Sequence, residues 1–328
     1  MSSVVEAARG KWHGILPQFG VDARFLRKQH GPCPMCGGKD RFIFDDKQGR
    51  GTYHCNQCGA GSGLQLISHI KGWDMTQVVK EVGKMVGSVE AREPEQELTD
   101  QQKKDALNKT WTGAQAVREG DPAHTYLTNR VGHFTASSVL RYHPDLWHPD
   151  ERKTYPALIA KVTDYDNKPV SIHRTFLDHS GNKAKIQKSK MVMSSTIPEG
   201  SAIRLMPYDH MLGIAEGIET ALSAANIFGI PVWAAISASI MVKWKPPKNV
   251  ERLVIFGDND ANFVGQISAY KLAFNLKKEY GDLMDVAVAI PNIRGADWND
   301  VVTINGLETA IKEAVIISPQ AFRTLPHG

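Results

Sequence analysis

Short apolar runs alternate with longer segments of helical period in the last third of the chain. The runs that predict strands are Met211–Ala215, Pro231–Ile236, Arg252–Phe256 and Met284–Ile290. The segments that predict helices between and after them are Gly217–Phe228, Asn262–Tyr280 and Leu307–Val315. Because strands alternate with helices, this part of the chain is predicted to form an α/β domain with a largely parallel sheet.

Apolar and polar residues alternate one by one just before this region. Tyr155–Thr163 and Pro169–Leu177 show the two-residue period of strands, and the turn residues 164–167 join them. A basic loop with four lysines follows. Its lysines are Lys183, Lys185, Lys188 and Lys190. A mixed α/β segment with a cationic surface is therefore predicted here.

Helical periods dominate the region between residues 64 and 131. Residues 64–87 are predicted to form two short helices, because Gly72 and Trp73 interrupt the pattern. The polar stretch Ser88–Lys104 is predicted to be a linker that passes into a helix ending near Val117. Asp121-Pro122 is a typical helix start.

Composition changes this picture only in the N-terminal region. The chain has 328 residues, 42% of them hydrophobic, which suits two or three globular domains. It has no apolar run that could span a bilayer, and its first residues lack the apolar segment of a signal peptide, so a cytoplasmic protein with no membrane partner is expected. The net charge is only +4, but residues 1–72 hold ten Lys and Arg against five Asp and Glu. Such a region either contacts phosphates or is an ordinary solvated surface.

All four cysteines lie in two Cys-x-x-Cys pairs, Cys33 with Cys36 and Cys55 with Cys58. This spacing is typical of zinc ribbons. Four thiolates close a tetrahedral shell and leave no open position, so the zinc is predicted to be structural. The alternative of two redox pairs is disfavoured, because no β-α-β pattern surrounds them. The neighbouring His54 is expected outside the shell.

Cations and aromatic residues lie together between the cysteine pairs. Lys39 and Arg41 are predicted to contact single-stranded DNA, which is bound through phosphate pairing and base stacking. On a strand, Phe42 and Phe44 would face away from Arg41. These two rings either stack on bases or form the small core of the ribbon.

Acidic residues follow three of the predicted strands. They are Glu216 with Glu219, Asp258 with Asp260, and Asp297 with Asp300. The carboxyl ends of parallel strands share one edge of a sheet, so these clusters are expected to converge. Converging carboxylates repel one another unless cations neutralise them, and Mg²⁺ prefers oxygen ligands and phosphates. A single Asp at such a place can instead cap a helix; Asp297 is the candidate for orienting its loop, and Glu219 for supporting the site from behind.

These motifs together resemble those of a known family. Ala215-Glu216-Gly217-Ile218-Glu219-Thr220-Ala221 and Gly257-Asp258-Asn259-Asp260 resemble the Toprim signature of one Glu and a D-x-D pair. With the cysteine pairs and Gly37-Gly38-Lys39-Asp40-Arg41-Phe42, the chain resembles the zinc-ribbon Toprim primases of bacteriophages, plasmids and other mobile elements. The resemblance spans residues 30 to 305. It departs from the family after Asp260, where Ala-Asn-Phe-Val-Gly follows.

The resemblance implies roles for particular residues. Glu216 would act on the 3′-hydroxyl or hold metal, and Asp258 and Asp260 would bind Mg²⁺ or Mn²⁺. Asp300 is predicted as a further catalytic residue. The predicted nucleotide-binding or primer-binding residues are Arg174, Lys183, Lys185 and Lys190, with His173 and Thr175 beside them. A solvated loop is the alternative for the lysines.

The sequence thus predicts an α/β protein with α+β parts in five segments. They are a β zinc ribbon (1–65), a helical linker (66–130), a mixed basic subdomain (131–207), a Toprim α/β catalytic domain (208–318) and a tail (319–328). The predicted function is a DNA primase that makes short RNA primers on single-stranded DNA from NTPs. A Toprim nuclease and a non-catalytic DNA-binding accessory protein are the alternatives.

A separate replicative helicase is the expected protein partner. A motor of the common kind requires G-x-x-x-x-G-K-[ST], which cradles nucleotide phosphates. The nearest fragment, Gly83-Lys84-Met85, lacks the hydroxyl residue and the upstream glycine. Either the tail or the helical segment Asp105–Val117 is a candidate for docking that helicase.

Overall fold

The computed structural model describes residues 2–91, 98–193, 197–313 and 316–317. The chain divides into two compact units, an N-terminal unit of residues 1–98 and a C-terminal unit of residues 99–328. No helix in the described ranges is both long and apolar enough to cross a membrane. The predicted tail, residues 319–328, and residues 92–97 of the predicted linker lie outside the described residues.

The N-terminal unit is a four-stranded antiparallel ribbon flanked by helices. Its elements are α1 (Ser2–Ala7), α2 (Trp12–Gln18), β1 (Gly31–Cys33), β2 (Gly37–Phe44), β3 (Tyr53–Cys55), β4 (Gly59–Gly61), α3 (Gly63–Lys71) and α4 (Met75–Met85). The strands pair in the order β1-β2-β3-β4. The interruption predicted at Gly72 and Trp73 is confirmed: Gly72 ends α3 in a left-handed conformation, and Asp74 caps α4.

One hydrophobic core holds this unit together. Phe42 and Phe44 from the ribbon, Trp12 from α2 and Ile67 from α3 are all buried in it. Gly63 lies directly against Trp12, and a Cβ atom there would lie 2.2 Å from the indole ring. The predicted boundary after residue 65 therefore falls inside a core that extends to α4. Four short strands have too little apolar surface to form a stable core alone, which is why these helices belong to the unit.

The first half of the C-terminal unit is an antiparallel sheet with two helices. Its elements are α5 (Asp100–Thr112), β5 (Gln115–Ala116), α6 (Pro122–Val131), β6 (Leu140–His148), β7 (Lys153–Thr163), β8 (Pro169–Phe176) and β9 (Lys190–Val192). The strands pair in the order β5-β6-β7-β8-β9. The predicted strand pair and its turn are confirmed as β7 and β8. β6 has no counterpart among the predicted strands.

The second half contains the predicted parallel sheet. Its elements are β10 (Met211–Ala215), α7 (Ile218–Phe228), β11 (Val232–Ala234), α8 (Ala238–Met241), β12 (Arg252–Phe256), α9 (Val264–Tyr280), β13 (Asp285–Ala289), α10 (Trp298–Asn305), α11 (Leu307–Glu313) and β14 (Ile316–Ile317). The order is β11-β10-β12-β13-β14, in which only β14 is antiparallel to its neighbour. The α/β prediction for this region is confirmed.

Both faces of the parallel sheet are buried. Val254 and Phe256 of β12 face a core shared with α6, α7 and the antiparallel sheet. Ile255 faces the opposite core, which Leu272 and Leu276 of α9 cover. The residues of β12 therefore alternate between two apolar environments, which explains why its sequence is continuously hydrophobic.

Two local predictions differ from the structure. The helix expected to continue to Val117 ends at Thr112, because Gln115 and Ala116 pair with β6 as a short strand. α10 has no counterpart among the predicted helices, because its eight residues have too few turns to show a clear period. This helix positions two of the acidic residues.

Candidate functional site

An acidic pocket opens at the carboxyl end of the parallel sheet. It encloses about 270 Å³. The acidic residues that line it are Glu216, Glu219, Asp258, Asp297 and Asp300. Asp260 lies on the loop after β12, close enough to raise the pKa of Glu216. The structure therefore brings together all three acidic clusters that the sequence places at strand ends.

Crowding of negative charge is strongest at Asp258. Burial, followed by the neighbouring Asp297 and Glu216, raises the pKa of Asp258 to about 8. Its buried Oδ1 atom has no hydrogen-bond partner. Burial also raises the pKa of Glu216, although the Ala238 amide donates a hydrogen bond to its carboxylate. Protons therefore compete for these oxygens unless another cation neutralises them.

The third acidic pair has a structural role in addition to its place in the pocket. Asp297 caps α10 by accepting the Asp300 amide at 2.8 Å, and Asp300 accepts the Asp297 amide in return. Asp297 also accepts a hydrogen bond from the Thr220 hydroxyl at 3.1 Å. Arg130 of α6 lies 3.7 Å from Asp300. These contacts orient the loop before α10, as the sequence suggested for Asp297.

Glu219 is a buried residue of the pocket wall and holds a lysine in the pocket. The Tyr126 hydroxyl donates a hydrogen bond to Glu219, and the ammonium of Lys190 lies 2.9 Å from its other oxygen. The Lys190 charge and the Tyr126 hydrogen bond outweigh burial and lower the pKa of Glu219 to about 2. The side chain of Glu219 is 5% exposed and that of Lys190 is 39% exposed. Glu219 thus fixes Lys190 at the pocket wall.

We expect Glu219→Gln to lower the free energy of unfolding by about 2 kcal/mol at pH 7. Breaking a fully buried ion pair costs more, but Lys190 is partly solvated and the amide can still accept from Tyr126. A depressed pKa contributes stability above pH 4.5, and this stability disappears as the pH falls towards 2. Chemical denaturation at pH 7 and pH 3 measures both effects.

The control for this experiment is Glu199→Gln, which removes an exposed pair with Lys243 at 3.9 Å. It should change stability by less than about 0.5 kcal/mol. Equal losses at pH 7 in the two variants would contradict the assignment of Glu219 as the holder of Lys190.

Cationic side chains from the first half of the unit complete the pocket. Lys183 and Lys190 line it, as does Arg130. Arg130 was not singled out in the sequence, because no local pattern distinguishes it from other surface arginines. Lys185 is exposed and does not line this pocket.

Strand alternation decides which residue of β8 reaches the pocket. His173 pairs with Ala160 and lines the pocket, whereas Arg174 pairs with Ile159 on the other face of the sheet. Arg174 packs there over the Phe176 ring at 5.6 Å. The nucleotide contact predicted for Arg174 is therefore not available at this pocket. Successive residues of a strand face opposite sides, so His173 and Arg174 cannot both face the pocket. The sequence alone does not say which of the two does.

His173 is neutral in this environment. Burial, followed by the positive charge of Lys190, lowers its pKa to about 4. It adds no positive charge at neutral pH. The pocket lining therefore sets five carboxyl groups against the three cations Arg130, Lys183 and Lys190, and Asp260 lies on the adjoining loop.

The donor set of this pocket fits Mg²⁺ or Mn²⁺. It offers carboxylate oxygens in excess of the nearby cations, and Asp258 has an unpaired buried oxygen. In the described part of the chain, only the four cysteines place three or more ligand atoms within 4.8 Å of one another. The carboxylates are thus held apart, and phosphate or water oxygens would complete the shell of an ion bound between them.

The four cysteines form a site with the dimensions of a zinc shell. The Sγ atoms of Cys33 and Cys58 are 4.0 Å apart, and those of Cys36 and Cys55 are 3.7 Å apart. Zn–S bonds of about 2.3 Å in a tetrahedron place sulfur atoms about 3.8 Å apart. The set does not include His54, which is exposed. The ligand geometry supports structural zinc.

The turns of the ribbon support this arrangement. The Met35 and Gln57 amides each donate a hydrogen bond of 3.4 Å to the first sulfur of their pair. Gly37 and Gly59 follow the two pairs with φ of 71° and 85°, which a residue with a Cβ atom rarely adopts. These glycines let the chain turn back after each pair of ligands.

The aromatic residues of the ribbon belong to its core. Phe42 and Phe44 are at most 1% exposed, so their rings are not available for stacking on bases. Lys39 is exposed and Arg41 is partly exposed on the other side of β2. Of the two alternatives for the rings, the structure supports the core. Lys39 and Arg41 stay candidates for nucleic-acid contact.

Family models match three parts of the chain. Residues 28–64 match the zinc-binding domain of primase-helicase, and residues 211–308 match the Toprim domain. Residues 101–205 match a domain of unknown function. The first two matches coincide with the cysteine site and with the parallel sheet that carries most of the acidic pocket.

Solved primase structures show a loose overall similarity. The chain resembles the Aquifex aeolicus primase fragment with zinc-binding and RNA polymerase domains at 14% identity and a TM-score of 0.40, over 96% of this chain and 86% of that one. The chain resembles the primase fragment of the bacteriophage T7 primase-helicase protein at 15% identity and a TM-score of 0.38, over 87% of this chain and 98% of that one. The chain resembles a DNA primase domain from Pseudomonas aeruginosa at 14% identity and a TM-score of 0.35, over 53% of this chain and 57% of that one. The chain therefore spans little more than half of that domain.

The motifs, the two sites and the family matches agree with one another. The cysteine ribbon lies in the matched zinc-binding region, and Glu216, Asp258 and Asp260 lie in the matched Toprim region. The chain therefore combines a zinc-binding domain of the primase-helicase type with a Toprim domain.

Proposed function

We propose that this protein is a DNA primase that synthesises short RNA primers on single-stranded DNA by metal-dependent nucleotidyl transfer. The observation that carries the proposal is the pocket in which acidic residues of the Toprim domain face Lys183, Lys190 and Arg130. Carboxylates that hold a divalent cation beside cations that bind phosphates are what a nucleoside triphosphate requires. A zinc ribbon in the same chain adds a candidate surface for the template.

The residues of the pocket have separate tasks in this proposal. Asp258 and Asp260 would hold Mg²⁺ or Mn²⁺, which when bound polarises the phosphates and lowers the pKa of the attacking hydroxyl. Glu216 would accept the proton of the primer 3′-hydroxyl, in keeping with its raised pKa. Lys183 and Lys190 would bind the triphosphate.

The proposed reaction is nucleotidyl transfer. The 3′-oxygen bonds to the α-phosphorus of the incoming NTP, and the bond from that phosphorus to the oxygen bridging to the β-phosphate breaks. Pyrophosphate leaves with the electron pair of the broken bond. Arg130, 3.7 Å from Asp300, is the additional cation that could neutralise charge on this leaving group.

Primer synthesis can be tested directly with the purified chain. Labelled NTPs, random-sequence single-stranded DNA and Mg²⁺ or Mn²⁺ should yield short RNA products on a sizing gel, and omission of any component should abolish them. Degradation of end-labelled DNA without NTP incorporation would instead indicate a Toprim nuclease. DNA binding without either product would indicate a non-catalytic accessory protein.

Template binding is expected to depend on the ribbon. Replacing both Lys39 and Arg41 by Ala should weaken single-stranded DNA binding about tenfold at 0.1 M salt and make its salt dependence shallower, because two phosphate contacts are lost. Fluorescence anisotropy at several salt concentrations measures both quantities. Lys80 and Lys84 are exposed on α4 of the same unit, and their double replacement by Ala is the control. An unchanged salt dependence of binding in the ribbon variant would indicate that Lys39 and Arg41 do not bind the template.

A separate helicase is the proposed protein partner. We expect the purified chain alone to show no DNA-stimulated ATP hydrolysis and no unwinding of a forked duplex, since its sequence lacks a phosphate-cradling G-x-x-x-x-G-K-[ST] loop. A coupled ATPase assay and a strand-displacement assay measure the two activities. Robust unwinding by this chain alone would refute the proposal.

A further inference from the structure

Two large apolar residues adopt a left-handed backbone conformation on loops that follow strands of the parallel sheet. Ile236, after β11, has φ of 78°, and Phe263, after β12, has φ of 63°. Side chains with a Cβ atom are disfavoured there because that atom crowds the backbone, most severely in β-branched residues such as isoleucine. Such strained residues persist only where the surrounding structure imposes them, and they concentrate at functional sites.

Each of these bends lets a backbone amide reach a carboxylate of the site. After Ile236, Ser237 caps α8, and the Ala238 amide donates to Glu216. Phe263 directly precedes α9, and the Gly265 amide donates to Oδ2 of Asp260 at 3.0 Å. A left-handed residue therefore precedes both the amide that contacts Glu216 and the amide that contacts Asp260.

The backbone conformation alone does not explain the residue types. Glycine adopts positive φ without strain, and elsewhere in the described chain sixteen glycines do so. Here the positions carry large apolar side chains instead. Ile236 lines the acidic pocket and also packs against the core of the unit. The Phe263 amide donates a hydrogen bond to the Asp260 carbonyl at 3.1 Å, and its side chain, which is 61% exposed, gains little from burial in the protein itself.

An apolar surface beside a charged pocket matches one part of a nucleotide. The phosphates require the cations and the metal-binding acids, whereas a nucleobase offers a flat apolar face. Ile203 and Ile218 also line the pocket, so three segments of the chain contribute an apolar side chain to its wall. Phe263 presents an aromatic ring, which stacks on any base.

We propose that Ile236 and Phe263 form an apolar contact for a nucleobase next to the acidic pocket, while their left-handed backbone positions Glu216 and Asp260. The inference rests on the proposed function, because the base belongs either to the incoming NTP or to the nucleic-acid strand. The two roles are separable, since the side chain makes the contact and the backbone makes the bend.

Glycine and alanine substitutions separate the two roles. Ile236→Gly and Phe263→Gly remove the side chain and permit the bend without strain, whereas the matched Ala variants remove the side chain and retain the strain. We expect both kinds of variant to raise the KM for NTP or the Kd for a fluorescein-labelled oligonucleotide about tenfold. We expect the Gly variants to keep kcat and to have a Tm equal to or a few degrees above that of the Ala variants.

Conservative variants and a distant position serve as controls. Ile236→Leu and Phe263→Tyr should restore binding to within about twofold of the wild type, because each restores an apolar or aromatic surface. Arg152 is an exposed left-handed residue that does not line the pocket, with φ of 54°. Arg152→Gly should leave KM, Kd and kcat unchanged.

The measurements also distinguish the source of the base. A rise in the KM for NTP alone supports contact with the incoming nucleotide, and a rise in the oligonucleotide Kd alone supports contact with the strand. Unchanged KM and Kd in the Gly variants would overturn the proposed contact with a base. Gly variants that are less stable than their Ala counterparts would overturn the claim that the backbone is strained at these positions. If the wild type makes no primers, the proposed function fails, but Kd for the oligonucleotide and Tm still test this inference.

Discussion

Asp258→Asn should abolish primer synthesis, with at least a thousandfold loss of rate, and should leave a folded protein that is more stable than the wild type above neutral pH. The loss of activity follows because the change removes a negative ligand for the divalent cation with little change in volume. The gain in stability follows from crowding, since burial and the neighbouring Asp297 and Glu216 raise the pKa of Asp258 to about 8. Active sites commonly hold such unfavourable charge in exchange for function.

The sign of the pH effect can be worked out from this pKa. A carboxyl whose pKa is raised on folding contributes stability at low pH, and the contribution is lost as the pH rises from about 4 to about 8. Asn lacks a titrating proton, so the variant should lose less stability over this range. We expect equal Tm values near pH 4 and a Tm several degrees above the wild type at pH 8.

Divalent cations provide a second measurement of the same site. Millimolar Mg²⁺ or Mn²⁺ should raise the Tm of the wild type at pH 8, because a ligand that binds only the folded protein stabilises it. The rise should be absent or much smaller in Asp258→Asn. Asp260→Asn and Glu216→Gln should also lose synthesis while staying folded.

Asp282 offers a matched control outside the pocket. It is an exposed acidic residue that pairs with Lys277 at 3.6 Å. Asp282→Asn should keep primer synthesis, the pH dependence of Tm and the response to Mg²⁺. Near-normal primer synthesis in Asp258→Asn, Asp260→Asn and Glu216→Gln would contradict the assignment of these residues to the active site.

Removing zinc should unfold the N-terminal unit and abolish template-dependent synthesis. Cys33 and Cys55 are buried within the core that Phe42 and Trp12 share. Without a metal, four sulfur atoms would be left close together with no ligand to hold the two turns. Structural zinc in small domains contributes about 10–16 kcal/mol of binding free energy, which is more than the stability of most small domains.

The zinc prediction is measured on the full chain. Elemental analysis should find one zinc per chain, and Cys36→Ser should lose it. Calorimetry after chelation should show that the transition of the N-terminal unit disappears, while the transition of the C-terminal unit is retained. Ser62→Ala, which removes only the cap of α3, should keep its zinc. Full primer synthesis by zinc-free protein would contradict the prediction.

Local sequence signals determined the identity of both sites. The two Cys-x-x-Cys pairs predict the zinc shell, because the spacing itself lets two thiolates reach one ion. Acidic residues directly after apolar runs predict the pocket, because parallel strands place their carboxyl ends at one edge. The strands and longer helices of the Toprim region are predicted for the same reason, since their periods are local and strong, whereas the short helices α8 and α10 are not.

Only the tertiary structure decided which other residues join these sites. Arg130 and Tyr126 come from α6, far from Glu219 in sequence, and the packing of α6 against α7 brings Arg130 to the pocket and Tyr126 to Glu219. Pairing of β8 with β7 turned His173 towards the acids and Arg174 away from them. Such choices depend on contacts between distant segments, which leave no periodic trace in the chain.

In the N-terminal unit, too, some features follow from local sequence and others only from tertiary packing. The sequence by itself determined the ribbon, its ligands and the two helices that follow, because turns, spacing and periods are properties of short segments. It did not determine that Ile67 and Val78 share a core with Phe44, nor that Phe42 and Phe44 form this core rather than a stacking surface. Burial depends on what packs against a side chain, and only the folded chain supplies that neighbour.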